Sequence, residues 1–151
     1  LFGLCCEQLE LGRITLTEAD CIPVSARWSF YHRMVGETLR GAVPLYAYGE
    51  IGGSRRVKGL GGSDSLRGFD TQRFTDKTRF FSNAELRYQI YNMVFYRQDI
   101  DCLGAVFFDA GRVLPDLDPI GLSGMHISGG AEIRLVLVPD FVLRVGFVRR
   151  R

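Results

Sequence analysis

The chain has 151 residues, room for one domain or part of one. Its hydrophobic content of 46% is that of a folded chain, and a net charge of +2 excludes the strongly basic face expected of a nucleic-acid binder. Only Lys58 and Lys77 are lysine; the other basic residues are arginine, which suits fixed, partly buried ion pairs.

No stretch approaches the roughly 20 apolar residues of a membrane-spanning helix, but barrel strands need only about 9–11 residues with weak alternation. The opening Leu1-Phe2-Gly3-Leu4-Cys5-Cys6 has no initiator Met and no basic n-region, and reads as a start within a longer protein. Cys5, Cys6, Cys21 and Cys102 have no metal-binding spacing and read as small apolar thiols.

Period-2 patterns recur along the chain. A weak strand is predicted over residues 9–16. Around Arg27 to Val35, Trp28, Phe30 and Met34 share one face and Ser29, Tyr31 and Arg33 the other, with His32 interrupting the apolar side. Residues 37–78 then form a long connection rich in glycine, Gly59-Leu60-Gly61-Gly62-Ser63-Asp64-Ser65-Leu66-Arg67-Gly68-Phe69. A loop of that length is usually functional or disordered.

Next, Ala84, Leu86, Tyr88 and Ile90 alternate with Asn83, Glu85, Arg87 and Gln89. A short connection leads to Val106 and Phe108, alternating with Phe107, Asp109 and Gly111. After a longer connection from Leu114 to Met125, Ile127, Gly129, Ala131, Ile133, Leu135 and Leu137 alternate with Ser128, Gly130, Glu132, Arg134 and Val136. Val138-Pro139-Asp140 predicts a tight turn. Beyond it, Phe141, Leu143, Val145 and Phe147 alternate with Val142, Arg144, Gly146 and Val148.

Long and short connections alternate, as they do in outer-membrane barrels. A soluble sandwich would carry a polar outer face, whereas here one face is apolar and the other holds charge and glycine. The expected fold is all-β, part of an antiparallel transmembrane β-barrel. Roughly six strands are visible against eight or more in bacterial barrels, so the chain reads as a fragment.

Glu85, Arg87, Asp109, Glu132, Arg134 and Arg144 fall on the phase opposite the apolar residues. An arginine facing lipid at mid-depth costs about 2–4 kcal/mol, which places them toward a lumen. Arg67 on a long flexible loop and Asp109 alone in an apolar strand make a natural pair, with the loop folded inside.

Three segments carry a resemblance: Gly61 to Phe69, Asn83-Ala84-Glu85-Leu86-Arg87-Tyr88, and Phe108-Asp109-Ala110-Gly111-Arg112-Val113. They resemble the C-terminal barrel of the BamA/TamA outer-membrane assembly superfamily. Leu66, Arg67, Gly68 and Phe69 match its sixth-loop motif, Asp109 and Gly111 its D-x-G strand motif, and Glu85 the acid of the preceding strand. The likeness runs from about Ala42 to Phe147.

The resemblance implies a bacterial outer-membrane barrel of about sixteen strands that inserts or translocates other barrel proteins. Arg67 would dock against Asp109, with Glu85 nearby. The family's first and last strands and its periplasmic POTRA modules lie outside this sequence. Implied partners are unfolded outer-membrane clients, POTRA modules, and outer-membrane lipids or lipopolysaccharide. The Arg55-Arg56-Val57-Lys58 cluster reads first as a solvated loop, and second as a contact for lipopolysaccharide phosphates at the rim.

No cofactor, metal or enzyme motif is visible. Ser63, Ser65 and Ser123 are not in G-x-S-x-G, His32 and His126 are isolated, and no Gly-Lys-Ser/Thr follows Gly59. The alternatives are a barrel anchor or exit route for a fused patatin-like lipase, a two-partner secretion transporter, and a passive pore.

Overall fold

The computed structural model describes residues 11–52, 57–96, 98–115, 124–137 and 141–151. Six strands, β1 (Leu11–Pro23), β2 (Trp28–Gly41), β3 (Thr78–Phe95), β4 (Gln98–Leu114), β5 (His126–Leu137) and β6 (Phe141–Arg150), form one antiparallel sheet in sequence order. The sheet is open, with β1 and β6 at its edges. One short helix, α1 (Leu45–Tyr48), lies in the connection between β2 and β3.

The strands run further than alternation alone predicts. β1 extends to Pro23, and β2 continues past Glu37 to Gly41, so the long connection covers residues 42–77 rather than 37–78. β3 and β4 also grow into their shared turn and meet at the Phe95↔Gln98 pair. The polar residues at these strand ends hide the alternation, but the backbone ladder continues because antiparallel pairing needs only backbone groups. The predicted turn at Val138-Pro139-Asp140, Cys5, Cys6, Ser123 and the Arg55-Arg56 pair lie outside the described residues.

The two faces of the sheet are unlike. One exposes Ile14, Leu16, Leu86, Val106, Phe108, Ile133, Val145 and Phe147. The other buries Val35, Glu37, Leu39, Arg79, Phe81, Asn83, Glu85, Phe107, Asp109 and Arg134. Burial of this inner face comes from the long connection, which lies across it. Ile51, Leu60 and Leu66 of the connection form a core with Val35 and Phe81 of the sheet. Each such side chain taken from water stabilises by about 1.5–3 kcal/mol.

A register shift in β3 keeps the faces distinct to the far end. Gln89 pairs with Leu103 but Tyr91 with Cys102, which leaves Ile90 as the extra residue of a bulge. Ile90 and Tyr91 both stay on the apolar side and exposed. Beyond the bulge Asn92 returns to the inner side, where it joins Gln89 in donating to Asp101 Oδ1, at 2.5 and 3.2 Å.

Candidate functional site

Three rows of cross-strand neighbours on β3, β4 and β5 build the site. Asn83 lies opposite Asp109, and Asp109 opposite Ser128. In the next row Glu85, Phe107 and Gly130 align, and in the third Arg87, Ala105 and Glu132. Strand alternation turns all nine inward. Gly130 makes room for its neighbour, since a Cβ there would stand 2.8 Å from the Phe107 ring.

Arg67 enters this grid from the long connection. Its Nε and Nη2 donate to the two oxygens of Asp109 at 2.7 and 2.6 Å, a bidentate fork, and its backbone N–H reaches the same carboxylate at 3.2 Å. Nη1 donates to Glu85 Oε1 at 2.5 Å and lies 3.9 Å from Glu132 Oε1. The guanidinium also stacks over Phe107, 3.7 Å from the ring centroid. Burial alone would lower the Arg67 pKa, but hydrogen bonding and attraction from Asp109, then Glu85, outweigh it and the net shift is upward. The cation is therefore permanent at any pH the protein meets.

The acids have further partners. Asp109 is fully buried and accepts a 2.8 Å bond from Asn83 Nδ2, which also donates to the Ser65 carbonyl at 2.6 Å. Glu85 accepts from Arg87 Nε at 2.8 Å and from Arg134 Nη2 at 3.0 Å on both oxygens. Arg134 also pairs with Glu132. Arg87 lies over the Tyr31 ring at 4.6 Å, and Arg33 donates to Asn83 Oδ1 at 2.8 Å. Arg144, opposite Arg134 in register, lines the same cavity of about 150 Å³, but its side chain bonds to no described residue.

The neighbours of Arg67 hold the loop at the right height. Leu66 is fully buried against β4, and Gly111 gives it space: a Cβ on Gly111 would lie 3.0 Å from Leu66 Cδ1 and 3.1 Å from the Phe80 carbonyl. Gly68 has a φ of +84°, open to glycine at little cost, and a Cβ there would meet Val148 Cγ1 at 2.6 Å. Its carbonyl accepts from Arg150 Nη1 at 2.9 Å. Phe69 is half-buried, edge-on to Phe74 and His126 at 5.3 and 5.9 Å, while those two rings stack at 3.9 Å.

A second cluster, not singled out from the sequence, fastens the root of the connection. Glu37 on β2 and Arg79 on β3 form a fully buried ion pair. Arg79 also donates to the carbonyls of Ala47, Tyr48 and Glu50. Glu37 accepts from Thr15 Oγ1 at 2.9 Å and from the Gly52 N–H. Both residues share the odd-numbered inward phase of Asn83 and Glu85, the one sequence signal that would have found them. Among the described residues, no group of three His, Cys, Asp or Glu is placed to hold a metal ion.

No protein-family model, curated protein or solved structure matches the chain.

Proposed function

We propose that this chain is the C-terminal part of a bacterial outer-membrane β-barrel of the BamA/TamA type, which inserts or translocates other barrel proteins. The observation that carries the reading is the Arg67 fork on Asp109, closed by Glu85. It places the arginine of a Leu-Arg-Gly-Phe loop on the acids of the two strands that the resemblance names. The apolar outer face and the alternation of long and short connections support the membrane setting.

The physical role is a latch. The loop lies across the inner face and holds neighbouring strands in fixed relation. In a complete barrel the moving part is a weakly paired seam, whose free edge would template an incoming client strand by strand addition. The chemistry is mechanical and uses no cofactor. Unfolded clients, periplasmic POTRA modules and outer-membrane lipid are the partners this function needs.

In the intact protein, Arg67→Ala should abolish insertion of a client barrel into liposomes, read as protease-protected, heat-modifiable client. Exchanging the charges, Arg67→Asp with Asp109→Arg, should restore part of it if the pairing is direct. Full client insertion by Arg67→Ala would overturn the latch. Steady ion conductance by the wild type, with no insertion activity, would favour a passive pore.

A further inference from the structure

The outer face is apolar through its middle, and its charges are sorted by sign toward opposite ends. By strand alternation the outward basic residues are Arg40 at the end of β2, Arg112 near the end of β4, Arg149 near the end of β6 and Arg151 just beyond it. All four stand at the end bearing the long connections. The outward carboxylates Glu18 and Asp20 lie in the half of β1 that leads to the short turn, and the Trp28 and Tyr88 rings meet at that end, 4.7 Å apart.

Arg149 and Arg151 flank a groove. Arg149 pairs in register with Gly129, and Arg151 exchanges backbone hydrogen bonds with Ile127 at 3.0 and 3.4 Å. Phe108 lies opposite Gly129 on the other side, with its ring above the space that the glycine leaves open. Together with Ser128 and Arg150 these five residues line a hollow of about 410 Å³. Its floor is aromatic and aliphatic, and its rim is two guanidiniums. The side chain of neither arginine bonds to a described residue, whereas that of Arg150 between them turns inward to the Gly68 carbonyl.

A cation on the lipid face costs about 2–4 kcal/mol at the midplane and about 0–1 near the interface. Placement at the strand end therefore puts Arg149 and Arg151 at headgroup depth. The guanidinium fork matches phosphate oxygens, and an apolar floor directly below matches an acyl chain. We propose that this groove binds an anionic lipid, with Arg149 and Arg151 on the headgroup phosphate and Phe108, Ile127 and Gly129 beneath the chain next to it. This assignment rests on the barrel reading above.

The intact protein is reconstituted into nanodiscs of phosphatidylcholine, with and without phosphatidylglycerol, and retained lipid is counted by native mass spectrometry. The wild type should retain phosphatidylglycerol in preference. Arg149→Gln with Arg151→Gln should lower that preference roughly tenfold, since each cation near the headgroups strengthens anionic contact several-fold. Arg40→Gln, on the same face and at the same end but outside the groove, should leave it unchanged, and the double lysine variant should keep most of it. Equal retention by wild type and the double glutamine variant, with both inserted, overturns the site and leaves the barrel standing. Complete displacement of the lipid by inorganic phosphate overturns the lipid assignment. Failure of the wild type to enter either bilayer overturns the barrel reading and the site with it.

Discussion

Asp109 and Glu85 share one arginine but depend on it unequally. Glu85 keeps Arg87 and Arg134 when Arg67 is removed. Asp109, itself fully buried, keeps only the Asn83 amide and a backbone N–H, both neutral donors. Breaking a buried pair by deleting one partner costs about 3–5 kcal/mol, most of it from the charge left behind. That cost should fall on Asp109. Adding Asp109→Asn to Arg67→Ala should therefore recover much of the lost stability, while adding Glu85→Gln should not. Urea unfolding midpoints of the two double variants in detergent would measure this, and equal recovery by both would rule it out. Arg67 and Asp109 were legible because each stands alone among residues of another kind, one in glycine and the other in an apolar strand. The sharing of Glu85 among three guanidiniums was not legible, because it depends on cross-strand register that no single segment contains.

At the scale of the element, the long connection is fastened at two places by unrelated contacts. Its tip is held through Arg67, and its root through Arg79, which gathers three loop carbonyls while paired to Glu37. The two holds should separate experimentally. Arg79→Met should loosen residues 42–52 and raise their protease sensitivity, while the Arg67 contacts to Asp109 remain. Glu37→Gln alone should destabilise by about 3–5 kcal/mol, and the Glu37→Gln/Arg79→Met pair by clearly less than the sum of the singles. Additive losses in that cycle would show that the two residues do not act together. The root cluster escaped sequence reading for a physical reason. Thr38, Arg40 and Thr78 make both faces polar near the loop, so the alternation that marks a strand fades before the strand ends. The six strands themselves were legible wherever an apolar face persisted, and the β3 bulge was not, since Ile90 and Tyr91 continue the apolar side without a break.

Across the whole molecule, apolar side chains cover the outside of a sheet whose polar groups are inside. A contiguous exposed apolar surface of this kind is not left facing water by soluble monomers. The chain should therefore stay dispersed only in detergent or lipid, with sheet content retained by circular dichroism, and should precipitate on dilution into plain buffer. A monodisperse, folded species in detergent-free buffer would contradict a lipid-facing surface. Chain order adds a constraint of a different kind. The arginine is synthesised before every acid that receives it: residue 67 precedes positions 85, 109 and 132. Its receptor exists only once β3, β4 and β5 are paired in register. Loop docking is then conditional on the register of those pairings. A strand slipped by one residue would turn Asp109 or Glu85 to the opposite face and leave the arginine nothing to bind. The docked loop thus serves as a proofreading step on the sheet beneath it.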